Sequence, residues 1–147
     1  VNPDVAQTNA ILGKMNLASP YPGYRGVILA TNIAQVVLEN NNANNLYRLV
    51  SSVTFPVLTW NHFVFTYGGG VTTGKIYKNG VEDAGVTVEA NSLSASILST
   101  EPLKIGESDA DDYNFDGKIA LLRIYNVALT APQVANHFNQ ERHLFGV

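Results

Sequence analysis

The stretch ESDADDYNFDG, from Glu107 to Gly117, contains four aspartates: Asp109, Asp111, Asp112 and Asp116. We call residues 109–116 the acidic loop. Calcium takes roughly six to eight hard oxygen ligands at about 2.3–2.6 Å, so a loop dense in carboxylates predicts a calcium site. The spacing is not that of an EF-hand, because no glutamate stands at the closing position. The alternative is a solvated acidic turn, in which Asp116 of the Phe-Asp-Gly sequence has a structural role.

A second set of residues has the chemistry of sugar binding. Tyr21, Tyr24 and Arg25 lie in SPYPGYRG, and Tyr113 and Asn114 lie in the acidic loop. Aromatic faces pack against the apolar C–H groups of sugar rings, and planar polar side chains bond to their hydroxyls. The two segments would form one glycan site if they met at the same rim of the fold. The alternative is that the tyrosines pack a Pro-Gly turn.

The patterns of common catalytic and zinc sites are absent from the sequence. A retaining glycosidase needs two carboxyls about 5–5.5 Å apart, and no Glu-x-Asp-x-x-Glu strand pattern supplies them. There is no G-x-S-x-G sequence, and YGGGVTTGK lacks the spacing of a phosphate loop. The three histidines have no zinc-ligand spacing. We therefore expect a protein that is not an enzyme, with a jelly-roll glycoside hydrolase as the least favoured function.

Composition excludes several other classes. The 147 residues fit one domain. The net charge is -3 and no basic stripe occurs, so nucleic acid is not expected as a partner. No apolar run approaches the roughly 20 residues that span a bilayer. Without cysteine, the chain has neither disulfides nor a thiol nucleophile.

Most apolar residues alternate or fall in short runs bounded by Gly, Asn, Pro and Ser, which is typical of an all-β protein. The segments RGVILATN, IAQVVLE and LYRLVSSV are predicted strands, and the asparagines of residues 40–45 predict a hairpin loop between the last two. TWNHFVFTYGGG carries bulky groups on both faces, which predicts a central strand. EPLKIGE and GKIALLRIYN are further predicted strands.

Two turn and cap signals are specific. Asn79-Gly80 lies between two strand-like arms and predicts a hairpin with a type I′ turn. Thr130 and Gln133 form a capping box, with Pro132 tolerated in the first turn, and they predict a helix from about Ala131 to Arg142.

The segments WNHFVFTYGGG…GKIYKNGV and LKIGESDADDYNFDGKIALLRIYNVALTAPQVANHF resemble the laminin-G-like, concanavalin-A-like family. The resemblance implies an antiparallel jelly-roll β-sandwich with a short C-terminal helix, and it places Trp60 and His62 in the core. Calcium is often held at the rim of such domains. The ending NQERHLFGV is similar to domains in virion structural proteins of tailed bacterial viruses.

One departure from the family concerns the first residues. Such domains usually have one or two strands before the segment that VNPDVAQ resembles. We therefore interpret residues 1–147 as a single laminin-G-like domain from the C-terminal part of a longer protein, or one whose neighbouring strands come from another chain. An open sheet edge favours association, so a homo-oligomer is among the expected partners.

The sequence as a whole predicts a non-enzymatic adhesion or carbohydrate-binding module, lectin-like and located extracellularly or on a virion surface, with calcium ordering the acidic loop. The alternative is a structural or decoration module that packs against neighbouring proteins of a virion or larger assembly. In either case we expect no membrane insertion.

Overall fold

The computed structural model describes residues 1–16, 21–41, 44–69, 74–107 and 113–147. In these residues the chain is mostly β with one helix near its C-terminus, as predicted. The strands are β1 (Asn2–Pro3), β2 (Asn9–Met15), β3 (Gly23–Ile28), β4 (Ile33–Asn41), β5 (Asn45–Thr54), β6 (Phe63–Thr66), β7 (Lys75–Lys78), β8 (Val81–Glu82), β9 (Thr87–Asn91), β10 (Lys104–Ile105) and β11 (Gly117–Lys118). Helix α1 (Ala131–Glu141) follows, and a short 3₁₀ turn, Arg142–Leu144, ends it.

One layer is a six-stranded antiparallel sheet with the order β10-β2-β3-β4-β5-β9. Its middle is a meander in which β2 to β5 are joined by consecutive hairpins. β3, β4 and β5 confirm the three strands predicted from the alternating apolar runs. Hairpins of this kind form because each strand buries one face and its neighbour lies next in the chain.

The second layer is a three-stranded sheet with the order β6-β7-β8. Asn79 and Gly80 have φ angles of 50° and 80°, and they join β7 to β8 as the type I′ prediction requires. The prediction that β6 is a central strand is wrong. β6 pairs with β7 on one side, and its other side has no paired strand among the described residues.

The core lies between these two sheets. Its buried cluster consists of Ile11, Ile28, Ala34, Leu38, Tyr47, Leu49, Phe55 and Ile76. Ile76 comes from the second sheet, and Phe63 and Phe65 of β6 pack against the cluster together with Tyr67, which directly follows β6. The ring centroids of Tyr47 and Tyr67 lie 5.0 Å apart, and those of Phe55 and Phe63 lie 5.5 Å apart. Aromatic side chains therefore hold the two layers together.

A small third sheet joins the beginning of the chain to its last third. β1 pairs antiparallel with β11, with Asn2 opposite Lys118. The N–H of Asp4 also donates to the carbonyl of Asp116, at 2.8 Å. Gly117 has a φ of 140°, and a Cβ there would lie 2.2 Å from the Asn2 carbonyl oxygen. The Phe-Asp-Gly sequence therefore needs its glycine for this close approach.

The prediction of a core strand over GKIALLRIYN is wrong for most of its length. The strand ends at Lys118, and residues 119–129 belong to no helix or strand. Ile124 and Val127 are 57% and 64% exposed. A strand exists only where its backbone groups have ladder partners. Residues 119–126 line a space beside β6 and have no such partner among the described residues. EPLKIGE is likewise a strand only at β10.

Helix α1 covers the side of the second sheet that faces away from the core. The N–H of Thr130 donates to Oε1 of Gln133 at 2.8 Å, so the predicted capping box is present. The His62 and Phe138 rings lie 5.7 Å apart, and the Trp60 and Phe145 rings lie 4.7 Å apart. Trp60 and His62 are therefore half-buried between the second sheet and the C-terminal segment, not in the core between the sheets.

Candidate functional site

Most of the predicted calcium site lies outside the described residues, because Asp109, Asp111 and Asp112 are not among them. Asp116 is exposed, and its N–H donates to Oδ1 of Asn9 at 2.8 Å. Its backbone thus ties the end of the acidic loop to the start of β2. In the described parts of the chain, no three His, Asp or Glu side chains are grouped to hold a metal ion. Calcium remains a prediction.

The five predicted sugar-contacting residues are not brought together. The carbonyl of Tyr113 accepts from the N–H of Ala10 at 3.2 Å, and that of Asn114 accepts from Gln7 at 3.5 Å, near the start of β2. Tyr24 pairs with Lys14, near the end of β2. At about 3.3 Å per residue, the two places are roughly 13 Å apart along the strand.

The two tyrosines of SPYPGYRG also differ from each other in how far they are exposed to solvent. Tyr21 is 36% exposed and has a φ of 64°, an uncommon conformation for a residue other than glycine. Tyr24 is partly buried and packs against the core cluster. Arg25 follows Tyr24 on β3, so its side chain points to the opposite face of the sheet.

On that opposite face, Arg25 belongs to a group of three charged residues. Val37 on β4 pairs with Arg25 on β3 and with Arg48 on β5, so the two arginines flank it on the same face. Glu39 lies two residues further along β4 and shares this face. We call Arg25, Glu39 and Arg48 the charged triad. Leu38 and Tyr47, which alternate with these residues, point into the core.

The charged triad has polar atoms without partners. Glu39 is 3% exposed, whereas the two arginines are half-buried. Burial raises the pKa of the Glu39 carboxyl, and the charges of Arg25 and Arg48 oppose that rise. Glu39 Oε1, Arg25 Nε and Arg48 Nε are buried and have no hydrogen-bond partner in the described structure. Such atoms are costly to leave unpaired, so the triad is suited to contact a ligand.

The sequence singled out Arg25 but missed Glu39 and Arg48. Both lie within predicted strands, IAQVVLE and LYRLVSSV. The apolar residues of these strands predicted the face that lies in the core, and the other face was not considered. A usable signal was present, because charged residues are seldom buried in the middle of a sheet unless they have a specific role.

A second feature is a cavity of about 450 Å³, which we call the inter-sheet cavity. It extends between β6 and residues 119–129 and reaches the core faces of β2, β3 and β4. Most of its lining is apolar, including Phe63 and Phe65. The sequence did not predict this cavity, because residues 119–126 were expected to form a strand.

The inter-sheet cavity has two polar contacts near helix α1 and one histidine with a shifted pKa. Arg123 forms an ion pair with Glu141 at 2.7 Å, and Tyr125 Oη lies 3.4 Å from His137 Nδ1. Burial lowers the pKa of His62, although the Glu141 charge opposes this effect. His62 is therefore mainly neutral near pH 7.

No helix in the described residues is long and apolar enough to cross a membrane. No curated protein matches the chain. A solved S-layer domain-containing protein from Clostridium thermocellum (residues 221–444) is similar, with 21% sequence identity and a TM-score of 0.44. The match covers 94% of this chain and 66% of that one.

The laminin-G family model described as the concanavalin A-like lectin/glucanases superfamily matches residues 1–135. The match includes both sheets and the first turn of α1. It agrees with the antiparallel sandwich and the short C-terminal helix described above. The chain therefore belongs to the concanavalin A-like lectin/glucanase superfamily, as a domain of laminin-G type.

Proposed function

We propose that the protein is a non-catalytic carbohydrate-binding and adhesion module and that the charged triad contacts the sugar. The observation that carries the proposal is the set of buried, partnerless atoms on Arg25, Glu39 and Arg48. Two of these atoms are donors and one is an acceptor. A hydroxyl both donates and accepts a hydrogen bond, so neighbouring hydroxyls of one sugar ring can satisfy all three.

Other simple ligands fit the charged triad less well. An anion would pair with the guanidinium groups but would leave the carboxylate without a donor. A metal cation would pair with Glu39 and would be repelled by two arginines. Arg25 and Arg48 are only half-buried, so a ligand can approach them from solvent on the face that points away from the core. The three buried atoms become accessible to that ligand when the arginine side chains move aside.

Binding to a glycan array, followed by calorimetric titration of each hit, tests the proposal. Glu39→Gln keeps the size of the side chain but loses one acceptor, and we expect it to weaken glycan binding by about tenfold or more. Glu89→Gln on β9 is the matched control, because Glu89 is exposed and lies outside the triad. We expect the control to bind as the unmodified protein does.

Loss of folding is separated from loss of binding by thermal melting of each variant. If Glu39→Gln does not fold, Arg48→Lys is the second variant, since it keeps the charge and removes Nε. Absence of binding to any glycan, or full binding by the folded triad variants, would refute the proposal. Tyr113→Ala tests separately whether the acidic loop contributes to the same ligand.

A second candidate function is protein–protein packing on a virion or another outer surface. It is favoured by the exposed apolar side chains Leu121, Ile124 and Val127, which lie close together in the chain and are 46%, 57% and 64% exposed. Light scattering over a range of protein concentrations tests it. Stable self-association that Ile124→Lys abolishes, together with no glycan binding, would support packing in place of sugar recognition.

A further inference from the structure

Gln35 lies next to the charged triad on the same face of the six-stranded sheet. Along β4, the side chains of Gln35, Val37 and Glu39 alternate with core residues such as Leu38, so all three point away from the core. Gln35 is only half-buried. Its side-chain amide has no hydrogen-bond partner among the described residues. A fourth polar group is therefore available beside the three that the proposed function assigns to the sugar.

The strand registers surround Gln35 with valines. Gln35 pairs with Val27 on β3 and with Val50 on β5. Val37, two residues further along β4, completes a group of three valines on this face. These valines are at most 7% exposed. A ligand therefore contacts them when the neighbouring polar side chains move aside, which is the same movement that gives access to the triad.

Val37 lies at the centre of this arrangement. Arg25 and Arg48 flank it on the two neighbouring strands, so their Cα atoms are about 9.6 Å apart. Gln35 and Glu39 lie two residues from Val37 in opposite directions along β4, at about 6.6 Å each. Four polar side chains thus border one point of the sheet. Gln35 differs from the other three because its side chain is neutral and both of its cross-strand neighbours are apolar.

We propose that the sugar bound by the charged triad carries an acetamido group and that Gln35 is the residue that determines this specificity. The inference rests on the proposed function, because the triad binds the hydroxyls of the same sugar ring. The Gln35 amide oxygen accepts from the acetamido N–H, and the Gln35 NH₂ donates to the acetamido carbonyl. The acetamido methyl group packs against Val27 and Val50. The ligand class is thus the N-acetylated amino sugars.

Other sugar substituents match the surroundings of Gln35 less completely. A hydroxyl would pair with the amide but would place no apolar group against the valines. A sulfate or a carboxylate would accept from the NH₂ but would leave the amide oxygen of Gln35 facing another acceptor. Of these substituents, only the acetamido group combines a donor, an acceptor and a methyl group.

The test compares sugars that differ only in the acetamido group. The methyl glycosides of N-acetylglucosamine and glucose form one pair, and those of N-acetylgalactosamine and galactose form the other. Calorimetric titration of the unmodified chain measures the affinity for both members of each pair. We expect the acetamido sugar of at least one pair to bind about tenfold or more tightly, because the hexose offers no methyl group to the valines and no amide to Gln35.

Substitutions of Gln35 test its role through the ratio of the two affinities. Gln35→Met keeps the length of the side chain and removes the amide, and Gln35→Glu keeps its shape and replaces the NH₂ with an acceptor. In each variant we expect the two members of a pair to bind within about twofold of each other. Gln140→Glu, at an exposed position of α1, is the control and should keep the ratio of the unmodified protein. Thermal melting verifies folding, and either Gln35 variant suffices if the other does not fold.

Saturation-transfer NMR locates the acetamido group on the protein. We expect its methyl protons to receive the strongest saturation from the protein, because they lie against Val27 and Val50. Strongest saturation at ring protons far from the acetamido group would contradict the proposed contact.

Equal binding of both members of both pairs would overturn the inference, and so would a preference that persists in the folded Gln35→Met and Gln35→Glu proteins. If both members bind equally and Glu39→Gln weakens both, the inference fails and the proposed function stands. If no sugar binds, both fail.

Discussion

Asp83 is a buried carboxylate that joins the segment after β8 to strand β5. Its substitution therefore tests how these two parts of the chain pack together. Asp83 follows β8 and is 7% exposed. One oxygen accepts from the N–H groups of Ser52, at 2.7 Å, and Val53, at 3.3 Å. The other accepts from the Ser52 hydroxyl, at 2.5 Å, and the Gly85 N–H, at 3.1 Å. Asp83 thus fastens the segment between β8 and β9 to β5.

Asp83→Asn replaces one of these oxygens with an amide NH₂, so two of the four bonds are lost whichever way the amide points. Hydrogen bonds to a charged group contribute about 1.5–3 kcal/mol each, and contributions at one site overlap. We expect a loss of roughly 3 kcal/mol in the free energy of unfolding. For a chain of this size, that loss lowers the melting temperature by about 6–12 °C.

The effect of Asp83 also has a predicted pH dependence. Burial raises the pKa of Asp83, but the hydrogen bonds from Ser52, Val53 and Gly85 outweigh burial and hold that pKa below its usual value. A carboxyl whose pKa is lowered by folding stabilises the protein fully above its unfolded pKa of about 3.9. That stabilisation is lost as the pH falls through the folded pKa.

Urea unfolding followed by the fluorescence of Trp60, the one tryptophan, measures these quantities. We expect the stability difference between the unmodified protein and Asp83→Asn to be constant from about pH 5 to 8 and to shrink below about pH 4. Asp4→Asn changes an exposed carboxylate and is the control. A difference below about 0.5 kcal/mol at pH 7, or one that persists unchanged at low pH, would refute the reasoning.

Three further expectations concern the core, one close approach and the acidic loop. Leu49→Ala should cost about 2–5 kcal/mol by denaturant unfolding, because Leu49 is fully buried, whereas Leu98→Ala, at an 85% exposed position, should cost almost nothing. Gly74→Ala should lower the melting temperature strongly, since its Cβ would lie 2.6 Å from the hydroxyl oxygen of Tyr47, and equal stability would contradict the packing described. If the acidic loop binds calcium, millimolar calcium should raise the melting temperature and a chelator should reverse the rise. A melting temperature that calcium leaves unchanged would contradict this prediction.

The sequence was most informative where a signal depends on neighbouring residues. The Asn79-Gly80 turn and the Thr130 capping box were predicted correctly, because φ preferences and cap hydrogen bonds are set within a few residues. The strands β3, β4 and β5 also followed from local alternation of apolar residues.

Predictions that depend on segments far apart in the chain were less accurate. Whether Ile124 lies in a strand depends on what stands beside β6, and the apolar pattern of GKIALLRIYN contains no such information. The position of β6 at a sheet edge has the same cause. The charged triad also depends on pairing, because Arg25, Glu39 and Arg48 come from three strands and meet only through their register.

The order of strands in the six-stranded sheet has a consequence for folding kinetics. β2 to β5 pair with their immediate neighbours in the chain, whereas the outer strands β9 and β10 come from later residues. The β1–β11 pair closes a loop that contains most of the chain. Because long loops close at a higher entropic cost, we expect the β2–β5 meander to form the folding nucleus and the β1–β11 pair to form last. Substitutions in β3 or β4 should then slow folding, and substitutions in β11 should mainly speed unfolding.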